Sequence, residues 1–328
     1  KSAFLCVFRF FGLSSFDTVT TLILSRLASF LPFFEVIPEI FRNFARMKPE
    51  TVHTVVFSPT GTSKKIAAAV ARRIASAAGT AASVPLKTID LTHSAGQPAT
   101  LLADTVAVIA APVYGGRVAP TAVKRFETLR GEGTPAVVIA VYGNRAFEKA
   151  VAELAGLASR QGFVPVAAGA FVGEHSYSTP ETPVAAGRPD AQDLAEAEAF
   201  GAAVREKLAA GDLTPVDAAG LKDVRTPLLP MLRFIRFVLG YRRRQRKNPV
   251  VYLPAGNADL CTRCGRCAAI CPTQAIARGD ETHTDPARCI RCCACVKGCP
   301  VGARSFHTPF AAALARNFTR RKPPVTSV

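Results

Sequence analysis

Eight of the ten cysteines fall in two copies of one spacing. Cys261, Cys264, Cys267 and Cys271 read C-x2-C-x2-C-x3-C and precede Pro272. Cys289, Cys292, Cys295 and Cys299 repeat the pattern and precede Pro300. Thiolates ligate zinc and iron–sulfur cubes alike. Three of them at i, i+3 and i+6 converge from a tight loop on one cube, and the fourth of each run is placed to reach the other. The proline cannot continue a helix, so it turns the chain away after that fourth ligand. The pattern predicts one [4Fe–4S] cluster on Cys261, Cys264, Cys267 and Cys299, and a second on Cys289, Cys292, Cys295 and Cys271. Zinc is the competing ion, because paired C-x2-C motifs also build four-thiolate sites. A zinc site needs two such pairs and nothing more, whereas each run here carries two further cysteines in register and the whole run is duplicated. Disulfides fit worse, since adjacent C-x2-C thiols suit a metal better than a strain-free bridge. Cys293, between two ligands, reads as a packed spare thiol; Cys6 is given no role.

A second group of chemistry-bearing residues lies in loops. Ser58-Pro59-Thr60-Gly61-Thr62-Ser63 follows an apolar run and precedes an alanine-rich stretch. Hydroxyls and successive backbone N–H groups at a helix N-terminus suit a phosphate monoester. The G-x-x-x-x-G-K-[ST] register is absent, so this is not a nucleoside-triphosphate loop. A plain helix cap is the bland alternative. Tyr114-Gly115-Gly116 sets a flat aromatic beside two glycines that permit close backbone approach, a place where a planar ring can stack. Tyr142-Gly143-Asn144-Arg145 repeats the theme. Gly131 to Ala136 matches G-x-G-x-x-A but precedes a strand, so it is not a dinucleotide fingerprint. Glu174 and His175 admit an acid–base role or a role as polar contacts that order a loop. The second is favoured, and His175 stays the one catalytic candidate.

These loops need a frame. Val52–Phe57, Leu86–Leu91, Val106–Ala110, Ala136–Tyr142 and Phe163–Phe171 read as strands. Helices are expected over Lys64–Ala78, Thr121–Leu129, Ala146–Arg160 and from the N-cap Asp190 to Ala210. The alternation predicts an α/β fold, a doubly wound parallel five-stranded sheet. Ligands bind such sheets at the carboxyl ends of the strands, and every loop named above, Gly131 to Ala136 excepted, follows such an end. Residues 1–46 read as an N-terminal extension and 47–210 as the sheet domain. Residues 211–254 read as a basic, proline-punctuated linker in which Leu228–Tyr241 forms a short amphipathic helix. The cluster module follows at 255–307, built from the duplicated halves Asp259–Ala277 and Pro286–Ser305, and a basic tail at 308–328 ends the chain.

Composition narrows the setting. With 328 residues, 49% of them hydrophobic, the chain can bury more than one core. Cysteines crowd the last quarter, which fits a cluster module and a reducing, cytoplasmic compartment better than a disulfide scaffold. The net charge is +17 and the pI about 9.8. Nucleic acid is not favoured, because Arg225 to Lys247 forms no recognised nucleic-acid motif. An acidic redox partner, or an anionic membrane face meeting Arg242–Lys247, accounts for the charge equally well. The first Met is Met47. Residues 1–46 are apolar but broken by Arg9, Asp17, Arg26 and Glu35, short of a membrane span. They read as an amphipathic surface segment, a packing helix or sequence upstream of the true start; the last is expected, since a strand begins right after Met47.

The loop at Ser58 resembles the flavodoxin phosphate loop, [ST]-x-T-G-x-[TS]. The chain from Thr51 to His307 is similar to fusions of a flavodoxin-like domain with a small α+β bacterial-type two-[4Fe–4S] ferredoxin. The likeness is carried by Phe57 to Thr62, Pro112 to Arg117, Tyr142 to Arg145, Gly173 to Ser176, Gly187 to Asp190 and the two cysteine runs. It implies FMN at the sheet edge. Ser58, Thr60, Gly61, Thr62 and Ser63 would hold the phosphate; Tyr114 and Gly115 would flank the ring, with Tyr142, Gly143 and Asn144 on its third side. Pro59 departs from the common loop and removes a backbone donor. The function implied is electron transfer between clusters and FMN, with FMN-dependent reduction of a quinone or nitro compound as the rival.

Overall fold

Branched and alanine-rich apolar runs build the sheet, and polar turns separate them. The computed structural model describes residues 49–76, 83–94 and 96–328, all within the unit Lys48–Val328; the segment 1–46, with Cys6, lies outside them. The strands are β1 (Thr51–Val56), β2 (Leu86–Asp90), β3 (Ala99–Leu101), β4 (Thr105–Tyr114), β5 (Arg117–Val118), β6 (Leu129–Gly131), β7 (Thr134–Tyr142), β8 (Phe163–Val172), β9 (Ala255–Gly256), β10 (Arg304–Ser305) and β11 (Val325–Ser327). The helices are α1 (Thr62–Ala75), α2 (Pro120–Phe126), α3 (Ala150–Arg160), α4 (Ala191–Ala209), α5 (Leu228–Lys247), α6 (Arg266–Ala269), α7 (Ala294–Lys297) and α8 (Pro309–Asn317).

The main sheet runs β11-β8-β7-β4-β1-β2, with β5 beside β4. The five strands β2, β1, β4, β7 and β8 are parallel neighbours in that order. Counted among themselves they give 2-1-3-4-5, the flavodoxin-like doubly wound order. Each expected strand is present, β4 extending further, to Tyr114. Strands in such a sheet are covered on both faces and read as near-continuous apolar runs. Ile109, Val138 and Ala168 pack with Phe126 of α2 and Leu154 of α3. Alternation turns Val56, Val108 and Ile139, equally buried, to the other face, where α1 and α4 pack on the sheet. Gly201 lets α4 close on α1; a side chain there would meet the Val70 carbonyl. Asp190 caps α4 as expected. Its carboxylate accepts the Asp193 N–H at 3.0 Å, and the Asp193 carboxylate accepts the Asp190 N–H at 3.0 Å. Such a box contributes about 1 kcal/mol.

Two segments differ from expectation. Residues 211–254 are not a spacer. Val216 donates its N–H to the Pro165 carbonyl at 2.9 Å, and the Asp223 carboxylate accepts the N–H groups of Phe147 (2.7 Å) and Glu148 (3.0 Å). The helix in this segment runs on to Lys247, because the segment's prolines fall before it, in its first turn, where no intrahelical N–H is needed, or after its end. Residues 308–328 are no free tail either. Thr308 caps α8, and β11 then adds to β8 as an antiparallel edge strand. Asn144 donates its amide to the carbonyls of Phe318 (2.7 Å) and Arg320 (2.9 Å). Arg321 forks onto the Asp190 carboxylate at 2.6 and 3.0 Å, and Lys322 reaches the Arg145 carbonyl at 2.5 Å. The cluster module is therefore held between two returns to one sheet. The tail's basic residues find acids and carbonyls there, contacts that carry no periodic trace in sequence.

Candidate redox site

The carboxyl ends of β1, β4, β7 and β8 open on a cleft of about 990 Å³, at the upper end of ligand-site sizes. Ser58, Pro59, Thr60, Thr62 and Ser63 form one side, with Tyr114, Gly115, Tyr142, Gly143 and His175 also in its wall. The loops separated in sequence are thus brought together. Gly61, with φ at 83°, turns the loop into α1, a conformation that side chains resist. Ser58 is committed to that turn: its Oγ accepts the Lys64 N–H at 3.0 Å, and its N–H donates to Thr92 Oγ1 at 2.9 Å. Ser63 Oγ is buried and has no partner within the protein. The first turn of α1 holds no acidic residue. Open N–H groups, a favourable dipole and an orphaned hydroxyl suit a phosphate, so the residues fit an FMN phosphate.

The remaining loop residues divide. Gly143 lies against the His175 ring, which leaves no room for a side chain at 143. Tyr142 forms a buried part of the wall, edge-on to Phe147 with centroids 5.6 Å apart. Its hydroxyl has no partner, and burial raises its pKa. Asn144, expected beside the ring, is instead buried beneath the tail it anchors. His175 accepts the Tyr177 N–H on Nδ1 at 3.0 Å. Burial first, then Lys297 and Arg145, push its pKa down to about 4, so it is neutral at pH 7. Burial raises the pKa of Glu174, but Lys297 and the Gly187 N–H more than offset it and hold the carboxylate ionised. A neutral imidazole and an ion-paired carboxylate favour an ordering role over acid catalysis.

The cysteines form the second half of the site. Cys271 lines one cavity together with Cys289, Cys292 and Cys295, so the fourth cysteine of the first run lies beside three of the second. The duplication repeats its backbone. Positive φ recurs at Arg263 and Arg291, at Gly265 and Cys293, and at Gln274 and Gly302. Cys293 thus stands where its twin is glycine, opening α7 as Gly265 opens α6. Cys261 is half-buried, Cys264 exposed and Cys267 buried. Burial raises the pKa of Cys299, but the N–H groups of Val301, Arg304, Ala303 and Gly302 bring it below the ordinary value. Among the described residues no three His, Cys, Asp or Glu side chains converge on a point as ligands of a single ion do; ligands of a cube bind different irons and stand further apart. Burial, then Cys295, Cys271 and Cys289, push the Cys292 thiol up to about 12. Four crowded thiolates, two of them buried, need a cationic core between them, which iron supplies. The donor set fits a cluster.

Cavity and cleft share a wall. Ile290 lines both, and Tyr114 lies close enough to Cys292, Cys293 and Cys289 that they add to the effect of burial in raising its pKa. Lys297 fastens the boundary by donating to Glu174 Oε1 at 2.5 Å, and Arg125 by donating to the Pro272 carbonyl at 2.5 Å. The other side of the cleft went unforeseen: Met231, Phe234, Val238, Tyr241 and Gln245 of α5, with Tyr177, Tyr252 and Phe310. The spacing of Phe234, Val238 and Tyr241 puts them on one helix face, a pattern present in the sequence but read as linker.

Residues 254–305 match the family model of the 4Fe-4S dicluster domain. No curated protein matches the chain. Among solved structures, the rubredoxin oxygen:oxidoreductase of the anaerobe Desulfovibrio gigas is 13% identical over 52% of this chain and 39% of its own, with a TM-score of 0.34. The flavodiiron protein of Giardia intestinalis is 14% identical over 52% of this chain and 40% of its own, with a TM-score of 0.31. This chain therefore spans about two fifths of either protein. A flavodoxin from the domain Archaea is 14% identical over 48% of this chain and 98% of its own, with a TM-score of 0.29. The flavodoxin-like assignment rests on the strand order.

Proposed function

We propose that this chain is an iron–sulfur flavoprotein that passes electrons between two [4Fe–4S] clusters and FMN. The observation that carries it is the shared wall: Ile290 and Tyr114 stand between the cavity of Cys271, Cys289, Cys292 and Cys295 and the cleft that fits FMN. When bound, the clusters exchange single electrons and FMN one or two, which makes the pair a converter. The chain's part is to hold the two sites edge to edge. The Lys297–Glu174 pair and the Arg125–Pro272 hydrogen bond fix the spacing, and α5 forms the opposite wall of the cleft.

Cys264 marks the entrance. It is exposed and flanked by exposed Arg263, Arg266 and Arg278. That surface suits an acidic donor or acceptor protein. The size of the cleft favours a second reading, in which a quinone or nitro compound binds beside the ring. Burial keeps His175 a neutral imidazole at pH 7, a weak proton donor, so this reading assigns it no acid role.

The test is the cofactor content of anaerobically purified protein. About eight iron, eight sulfide and one FMN per chain are expected from the ligand sets. Zinc without sulfide would overturn the electron-transfer reading, and clusters without FMN would overturn the converter. Steady-state assay then separates carrier from enzyme: a carrier reduces proteins and dyes, whereas an enzyme saturates with one metabolite.

A further inference from the structure

We propose that the outward face of α5 docks on the surface of an anionic lipid bilayer. The inward face needs no partner, because Phe234 packs there with Phe318 and Leu314. The outward face is unusual for water. Leu228, Leu232, Ile235 and Leu239, at i, i+4, i+7 and i+11, form one stripe and are 73%, 52%, 46% and 60% exposed. A helix lying on a soluble domain carries polar residues on that face. Continued toward the C-terminus, the stripe becomes Arg242, Arg243 and Arg246, all exposed. No acidic residue occurs between Val224 and Ala258. Among the described residues, no arginine or lysine of α5 joins an ion pair.

The order along the helix selects the partner. An acidic protein would answer the arginines but not the leucines. A bilayer answers both at once, hydrocarbon for the N-terminal turns and lipid phosphate for the C-terminal turns, when the helix lies tilted in the interface. Among the described residues no helix is long and apolar enough to cross a membrane, so the contact is superficial. Ile235, Leu239 and Arg242 also line the cleft, which places its mouth at the docked face.

The test is flotation of the full-length chain with vesicles of phosphatidylcholine, with or without phosphatidylglycerol. Co-flotation with phosphatidylglycerol vesicles at low salt is expected, and none with phosphatidylcholine alone. Leu228→Gln/Leu232→Gln lowers binding by about tenfold or more, given the apolar area of two leucines, and Arg243→Gln/Arg246→Gln by about tenfold through two lost surface charges. Neither pair lines the cleft, and unchanged circular dichroism melts exclude misfolding. Absence of flotation by the parent chain overturns the proposal. So does equal flotation of the leucine variant, which would assign binding to another segment. A dimer that the leucine variant loses would make the occupant a second copy of this chain, and would overturn the proposal as well.

Discussion

The two cysteine runs share spacing, following proline and even the positions of positive φ, yet they sit in different surroundings. The first run puts Cys264 at the surface among arginines. The second buries Cys292, Cys293 and Cys295 against the wall of the cleft. Equal local chemistry therefore meets two environments, solvent at the first run and the wall of the cleft at the second. Ligand spacing decides what can be bound, and burial decides what the bound group can exchange electrons with, since solvent exposure and nearby charge tune a cluster.

Removing one ligand from each run breaks this symmetry hardest. Cys292→Ser should abolish transfer from reduced clusters to flavin in single-turnover stopped flow. Cys264→Ser should slow reduction by an external protein donor while exchange between the inner cluster and flavin persists. Equal behaviour of the two variants would remove the distinction. Next in size is iron loss to a chelator, which should be biphasic by visible absorbance. The fast phase belongs to the exposed run and should be missing from Cys264→Ser.

Smaller effects probe how the halves fit. Ile270 and Gly298 occupy equivalent places, each just before the fourth cysteine of its run. A side chain at 298 would run into Ile270 Cδ1. Gly298→Ala should cost about 1–3 kcal/mol as overpacking, and Ile270→Val should recover part of it in a denaturation double-mutant cycle. Asn144→Ala strips the tail carbonyls of a buried donor and should cost about 1–3 kcal/mol. It touches neither run, so the gap between the two cluster potentials should stay fixed in a redox titration. A further effect concerns pH. His175 falls from its ordinary 6.5 to about 4 in the folded chain, so between those values the unfolded chain binds a proton that the folded one does not. Stability should therefore decline as pH drops through that window and be flat with respect to His175 above it. His175→Gln should flatten the profile in urea titrations.

Much of the frame was legible in residues alone. Four apolar runs marked β1, β4, β7 and β8, because a sheet covered on both faces leaves a continuous hydrophobic trace, whereas β2 is an exposed, mixed edge strand. Ser58 to Ser63 was readable as the loop that opens α1, since a helix N-terminus built of hydroxyls and a left-handed glycine is a local device. The hold of Asn144 on the tail was hidden because its partners, Phe318 and Arg320, are far along the chain. The side of the cleft formed by α5 was hidden for the same reason. Its prolines suggest a linker, and only contact with Phe310 and Phe318 shows which face turns inward.

The spacing of eight cysteines by itself determined the chemistry this protein can hold, because ligand geometry within a run is short-range and repeats wherever the spacing repeats. Local patterning likewise determined which loops would emerge from strand ends. Only the tertiary structure decided that the cysteine module lies between two returns to one sheet, and that Ile290 and Tyr114 form the wall between cavity and cleft. Those outcomes depend on packing between residues remote in the chain, where burial and shape have no periodic signature to read.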